Sequence, residues 1–167
     1  MSNPSQDPFA HDLAALIPRL RRFARSLCRD AVLADDLAQQ ALERAWRARS
    51  SWTPGTRLDS WVFQILRRIW IDDRRAAART AQVLTEEPEV ERVGVDPRPQ
   101  LEARRELSQV RRALARLPDE QREAVSLVLI EGYGYDEAAQ ITGVPIGTFS
   151  SRLVRGRRAL LALLDEA

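Results

Sequence analysis

Tyr135-Asp136-Glu137-Ala138-Ala139-Gln140-Ile141-Thr142-Gly143-Val144-Pro145-Ile146-Gly147-Thr148-Phe149-Ser150-Ser151-Arg152-Leu153 reads as a short helix, a tight turn and the start of a longer helix. That order is a helix-turn-helix signature, and its positions have physical reasons. Ala138 and Ala139 are small, so crossing helices can approach. Gly143 suits the left-handed conformation that ends the first helix. Val144 can plug the space between the helices, and Pro145 fits a helix start. The longer helix is predicted over residues 146–164, with Phe149, Leu153, Leu160, Leu161 and Leu164 facing inward. It carries no acid over that span, and Arg152 and Arg155 stand three residues apart. A recognition helix reads base edges from its first turns and grips phosphate with flanking cations. Thr148, Ser150, Ser151, Arg152 and Arg155 are therefore candidate DNA contacts. A solvated basic face on an ordinary helix is the plainer explanation; the helix and turn before it favour DNA.

Upstream, Leu101, Leu107, Val110, Leu114 and Leu117 keep a helical period. Pro118 sits where a first-turn proline belongs, predicting a helix over 118–131, and Gly132 and Gly134 bracket the turn before the short helix. Between about 80 and 100 the period is lost. Pro88, Pro97, Pro99 and Gly94 occur there with Glu86, Glu87, Glu89, Glu91 and Asp96. This is the composition of a flexible acidic linker. The chain thus divides into an N-terminal module over 9–80, a linker over 81–100 and a C-terminal module over 101–167.

The N-terminal module reads as three helices. Leu13, Leu16, Ile17, Leu20, Phe23, Ala24, Leu27 and Cys28 recur at three- and four-residue steps over 12–28, with Arg19, Arg21, Arg22 and Arg25 on the other face. Pro18 is expected to kink this helix or to end its first turn. Asp30 is a plausible N-cap for a helix over 31–49, whose apolar stripe is Leu33, Leu37, Ala41, Leu42, Ala45 and Trp46. A Pro54-Gly55 turn leads to a third helix over 58–79, with Trp61, Val62, Ile65, Leu66 and Ile69 inward. Its second half holds Arg67, Arg68, Arg74 and Arg75 beside Trp70. Arginines among aromatics suit single-stranded nucleic acid, where cations hold the backbone and rings stack on bases. Trp61 is read as core, and Trp70 as either core or a base-stacking ring. The whole is an all-α chain of two small domains, without strand-like alternation.

Composition narrows the function. All 26 basic residues are arginine, against 24 acids, and the net charge is +2. Local basic patches offset by acidic ones are expected, rather than a uniformly basic protein. Arginine's planar fork suits phosphate and guanine edges. One cysteine, Cys28, excludes an internal disulfide and is read as a buried, unreactive thiol; one histidine, His11, excludes a histidine-rich metal site. No nucleophile–base set or metal-ligand spacing points to an enzyme, and no cofactor is expected. The polar first residues and the short apolar runs predict a cytoplasmic protein without membrane insertion.

Three stretches resemble the extracytoplasmic-function sigma factors, and in order they span nearly the whole chain. Asp35-Asp36-Leu37-Ala38-Gln39-Gln40, with Leu42 and Ala45-Trp46-Arg47, is similar to the family's polymerase-binding helix. Ser60-Trp61-Val62-Phe63-Gln64-Ile65, continuing to Ile71-Asp72, is similar to its promoter-melting helix. Leu117-Pro118-Asp119-Glu120-Gln121-Arg122-Glu123, then the stretch from Glu131 through the helix-turn-helix, is similar to its C-terminal motif. The resemblance implies that Asp35, Asp36, Gln39 and Arg47 meet polymerase, with Asp36 and Gln39 on the clamp helices of the largest subunit. It implies that the loop over 52–59 holds a base flipped from the downstream (−10) element. Arg67, Arg68, Asp72, Arg74 and Arg75 would contact that element or its backbone, and Thr148, Ser150, Ser151, Arg152 and Arg155 the upstream (−35) element. The linker would thread toward the polymerase active-site channel. The implied partners are the RNA polymerase core (clamp helices and flap), promoter DNA and an anti-sigma factor. Residues 13–28 further resemble the general-stress-response subgroup. Arg68 stands where many members have asparagine, Gln40 where they have glutamate and Gly134 where they often have serine; the first puts base choice at the −10 element in question. Two other functions fit parts of the chain. A sigma-like decoy for an anti-sigma factor would be expected to lose the basic DNA-facing residues, and a helix-turn-helix repressor would not need Asp36 and Gln39.

Overall fold

The structure, a computed structural model, describes residues 7–81 and 101–166. The linker read from the sequence lies outside them. All regular structure among the described residues is helical.

Helix α1, Pro8–Ala15, starts where the Asp7 carboxylate accepts the Phe9 amide at 3.0 Å. Helix α2, Ile17–Leu27, follows after Leu16 alone. The sequence suggested a helical period over 12–28 with Pro18 either kinking it or ending a first turn, and the second alternative holds. Pro18 splits it, because a proline is tolerated at the second helical position, where its missing N–H has no partner to lose. Helix α3, Ala31–Arg47, is capped as expected: Asp30 accepts the Val32 amide at 2.6 Å and the Leu33 amide at 3.3 Å. A single turn at Arg49–Ser51 and a loop lead to helix α4, Leu58–Ala81. Leu20, Phe23 and Leu27 of α2, Ala34, Leu37, Ala38, Ala41 and Ala45 of α3, and Val62, Phe63, Leu66, Ile69 and Trp70 of α4 are buried together. The alanine row of α3 lets its neighbours close in. Phe23 stacks on Phe63 with centroids 5.0 Å apart. Trp70 is therefore core. Leu33 and Trp46 depart from expectation at 61% and 40% exposed. Leu33 points outward from the first turn of α3. Trp46 lies on the surface beneath Arg49, whose guanidinium carbon sits 4.4 Å from the ring centroid.

In the C-terminal half, α5 is Leu101–Arg116 and α6 is Asp119–Val125. Pro118 caps α6 rather than entering it, its carbonyl accepting the Gln121 and Arg122 amides. The helix predicted over 118–131 widens into a π turn at Ser126–Ile130. Helices α7, Tyr135–Thr142, and α8, Ile146–Asp165, form the helix-turn-helix, and Gly143 takes φ +69° at its turn. A Cβ at Gly156 of α8 would come within 2.8 Å of Val125 Cγ2 and 2.9 Å of the Gln121 carbonyl. Helix α8 therefore crosses α6 with backbones nearly touching. Leu161, expected inward, is 62% exposed on the far side of α8 from this crossing.

The two modules pack on one another, a contact that the sequence reading did not address. Helix α4 packs on α7, and α2 packs on α5, α6 and the π turn, so the two cores join in one apolar cluster. Among the described residues, no helix is long and apolar enough to cross a membrane.

Candidate nucleic-acid interface

The turn at Gly143 aims the start of α8 outward. Thr148, Ser151 and Arg155 are exposed there, and Arg155 Nε donates to the Ser151 carbonyl at 3.3 Å. Ser150 is half-buried. Arg152 is more restrained than the sequence implied: its guanidinium donates to Glu120 at 3.0 Å, and the side chain is only 18% exposed. Arg157 and Arg158, which the sequence reading passed over, are exposed farther along α8.

On α4, Arg68, Asp72 and Arg75 are exposed, but two of their neighbours are engaged. Arg67 is half-buried and hydrogen-bonded to Glu123 of α6. Arg74 grips Asp119 with two bonds, at 2.8 and 3.0 Å. Arg67, Arg74, Arg75 and Arg152 line one cleft of about 730 Å³, floored by Trp70 and Val144. Arg152 of α8 thus shares an opening with Arg67, Arg74 and Arg75 of α4, whereas Arg68 and Arg155 lie outside it.

The candidate polymerase-binding residues lie on the outer side of α3. Asp36, Gln39 and Arg47 are exposed; Gln39 donates to Glu43 at 3.3 Å. Asp35 is less free, sitting 3.4 Å from both Arg21 and Arg25. Leu33, Asp36, Glu43 and Arg47 share one helical stripe, and Val32 beside them is 67% exposed.

The loop over 52–59 turns at Thr53 to Thr56, where the Thr56 hydroxyl donates to the Thr53 carbonyl at 2.6 Å and Gly55 takes φ +87°. Asp59 anchors its end, accepting from Arg57 at 2.7 Å and from Arg19 and Tyr133 at 3.1 Å each. Burial pushes this carboxyl up, but the hydrogen bonds from Arg57, Arg19 and the Ser60 amide outweigh it and hold the pKa at about 2.

Sequence reasoning missed the seam between the modules. Glu131, its side chain fully buried, accepts from Arg22 at 2.8 and 2.9 Å and from Arg19 at 3.3 Å. Arg57 pairs with Glu137. Tyr133 packs edge-on against Phe63, with the Arg19 guanidinium carbon 5.2 Å from both rings. Arg122 is buried with four backbone carbonyls around it, one of them Leu27 of α2 at 2.7 Å. Arg122 lies in the charged run Asp119-Glu120-Gln121-Arg122-Glu123, where nothing in the sequence marks it as buried.

Comparison with known proteins accounts for both modules. Residues 107–160 match the family described as Sigma-70, region 4, and residues 13–67 match the Sigma2 domain of PhyR. The chain is 39% identical over 161 residues to the ECF RNA polymerase sigma factor EcfG of Rhodopseudomonas palustris, covering 96% of this chain and 87% of that protein. It is 36% identical to the ECF RNA polymerase sigma factor SigM of Mycobacterium tuberculosis, covering 87% and 71% respectively. Its fold is similar to that of the sigma factor RpoE from Bartonella quintana, solved with the anti-sigma factor NepR, with a TM-score of 0.82, 35% identity, and 94% and 96% of the two chains covered. It is also similar to CnrH, solved with the cytosolic domain of CnrY, at a TM-score of 0.71 and 26% identity over 97% and 92% of the chains. The protein belongs to the extracytoplasmic-function sigma factors of RNA polymerase.

Proposed function

We propose that this sigma factor docks on core polymerase through the outer stripe of α3, reads and opens the −10 element with α4 and the loop before it, and reads the −35 element with the start of α8. The observation that carries the reading is the outward face of α8: Thr148, Ser151 and Arg155 stand exposed on a helix without acids up to Leu164, held by the Gly143 turn. Thr148 and Ser151 can hydrogen-bond base edges, while the arginines reach bases or phosphate. Arg68 and Arg75 are exposed to grip a single strand, and the loop over 52–59, exposed from Thr53 to Arg57, would take an unstacked base, whose extrusion costs a few kcal/mol. Each module is a weak binder alone; carriage on one polymerase raises the effective concentration of the second element once the first is bound. The chain makes and breaks no bond in this scheme, and it works in the cytoplasm where polymerase is.

Asp36, Gln39 and Arg47 with exposed Val32 and Leu33 form the proposed polymerase face, an apolar patch with polar rim. An anti-sigma partner would cover it, a reading supported by RpoE having been solved with one. The match to EcfG and to the Sigma2 domain of PhyR supports placing the chain in the general-stress-response subgroup. Run-off transcription with purified core polymerase on genomic fragments tests the function. Promoter-selective transcripts are expected, lost with Asp36→Ala through failure to bind core and with Arg155→Ala through failure at the −35 element. Absence of any selective transcript from the intact chain would overturn the reading.

A further inference from the structure

Helix α8 turns Phe149, Leu153, Gly156 and Leu160 to the core. At about 3.6 residues per turn, the positions most nearly opposite that stripe are Gly147, Ser151, Val154 and Arg158. All four are exposed, as are Thr148 and Arg155 at the margin of the same face. Hydroxyls and guanidinium groups dominate this surface, and no acid occurs from Ile146 to Leu164. Val154 is the exception, an aliphatic side chain 54% exposed in the middle of it. Isolated exposed valines are ordinary, but this one stands where a base edge would lie, and alanine would serve the helix better. In the major groove every base pair offers polar edges, and thymine adds a methyl group at C5. Hydroxyls and guanidinium groups answer the polar edges. An apolar side chain answers the methyl, because contact takes both out of water. We infer that Val154 is a specificity-determining residue of the −35 contact, packing its methyls against the C5 methyl of one thymine in the major groove.

This rests on the proposed reading of the −35 element by α8 and deepens it. Two features of the fold fix the valine for the contact. A β-branched side chain in a helix holds essentially one χ1 rotamer, so its methyls have a set direction and little freedom to lose on binding. Two residues on, Gly156 brings the α8 backbone against α6, where a Cβ would meet Val125 Cγ2 at 2.8 Å and the Gln121 carbonyl at 2.9 Å. That crossing sets how far the outer face of α8 projects. Ser151 and Val154 are separated by a rise of about 4.5 Å, against a base step of about 3.4 Å, so they meet neighbouring base pairs. Leu161 lies near the same face and is 62% exposed. It stands about 10 Å farther along α8, past the first turns that reach base edges, and so takes no part.

The test uses holoenzyme assembled from the full chain and core polymerase, on promoter duplex that this holoenzyme itself selects. Each thymine of the −35 element, on either strand, is replaced in turn by deoxyuridine, which removes the C5 methyl and keeps the hydrogen-bonding edges. Competition binding gives the ratio of affinities for the two duplexes. The intact chain is expected to bind about fourfold more weakly at one uridine, the worth of one buried methyl-sized group. Val154→Ala should bring the ratio at that position close to one, and Leu161→Ala should keep it at the intact value. A valine that merely supported the helix would weaken both duplexes alike and leave the ratio unchanged in Val154→Ala, which overturns the inference. A ratio below about 1.5 at every thymine of the intact complex overturns it too, as does a −35 element without an A·T pair. Arg155→Ala distinguishes this failure from failure of the −35 reading. Loss of −35 dependence in that variant, with a flat uridine series, refutes the Val154 contact and keeps α8 as the reader. Unchanged −35 dependence in Arg155→Ala refutes the reading by α8 and the inference with it.

Discussion

Arg122→Met should unfold the C-terminal module well before the N-terminal one. Methionine keeps much of the stem's apolar volume and deletes the guanidinium. In the native protein that group donates from Nε to the Leu114 carbonyl at 2.8 Å, from Nη2 to Leu117 at 2.9 Å and Ala115 at 3.2 Å, and from Nη1 to Leu27 at 2.7 Å. Leu114 and Ala115 lie at the end of α5 and Leu117 just beyond it, where the last helical carbonyls lack intrahelical partners and favour a cation. Burial pulls the Arg122 pKa below its ordinary value, which measures the cost of keeping the charge there. A hydrogen bond from a charged donor contributes roughly 1.5–3 kcal/mol, but these four share one desolvation cost, so their sum overcounts. Removing one partner of a buried charged network costs about 3–5 kcal/mol. At about 0.05–0.15 kcal/mol per residue, a module of this size holds roughly 3–10 kcal/mol in all. The spectroscopy separates the halves. All four tryptophans, Trp46, Trp52, Trp61 and Trp70, lie in the N-terminal module, and both tyrosines, Tyr133 and Tyr135, in the other. In urea, far-ultraviolet circular dichroism should lose its first fraction at a lower midpoint in Arg122→Met, with tryptophan fluorescence trailing. The reasoning has a definite way to fail. Apolar replacement of buried charges is in some proteins neutral or stabilising. Coincident transitions at the wild-type midpoint would mean that the carbonyls find water and that the bonds of Arg122 only offset its burial.

Three further outcomes follow from local geometry. Burial pushes the Cys28 thiol up to about 11; alkylation near neutral pH should therefore run about a hundredfold slower than for an ordinary cysteine and rise steeply with alkali, which iodoacetamide kinetics would check. Gly156→Ala sets a helix-propensity gain of about 1 kcal/mol against overpacking of roughly 1–3 kcal/mol. Because the Gln121 carbonyl it meets cannot swing aside, the expected result is a lower thermal midpoint and weaker binding to −35 duplex as α8 tilts away from α6. Asp59, held at about 2, contributes stability that is present above its unfolded value of about 4 and is lost as pH falls through about 2. Asp59→Asn should accordingly flatten the fall in thermal midpoint between about pH 4 and pH 2, and an unchanged slope would show that the Arg19 and Arg57 contacts add nothing.

Much of the local structure was legible because its causes are local. An aspartate before an apolar period predicts a cap, and Asp30 makes it. A glycine after a short helix predicts a left-handed residue, and Gly143 has it. The bounds of α7, Tyr135–Thr142, follow from the glycines on either side. Periodicity was less informative about what a stripe meets. It grouped Leu33 with Leu37 and placed Leu161 with its neighbour Leu160, but helical spacing identifies residues on one broad side of a helix without saying how far the neighbouring helix extends. Leu37 and Leu160 are buried, and Leu33 and Leu161 lie past the edge of the contact. The π turn at Ser126–Ile130 left no sequence signal of its own, since a run of apolar residues satisfies either helical pitch.

The seam was illegible for a different reason, and that reason bears on how the protein works. Its acids already have adequate local explanations: Asp119 sits in the first turn of α6, where a negative charge is favoured by the helix dipole. Nothing in the sequence couples it to an arginine 45 residues away. The coupling is a matter of balance. With 26 arginines against 24 acids, a near-neutral chain can pair some arginines internally and leave others exposed in local basic patches. Exposed pairs such as Arg74–Asp119 contribute on the order of 0–1 kcal/mol each. The contact between the modules therefore rests mainly on the buried carboxylates, Glu123 and Glu131, and on the Tyr133–Phe63 contact. These are the contacts of the seam that water reaches least.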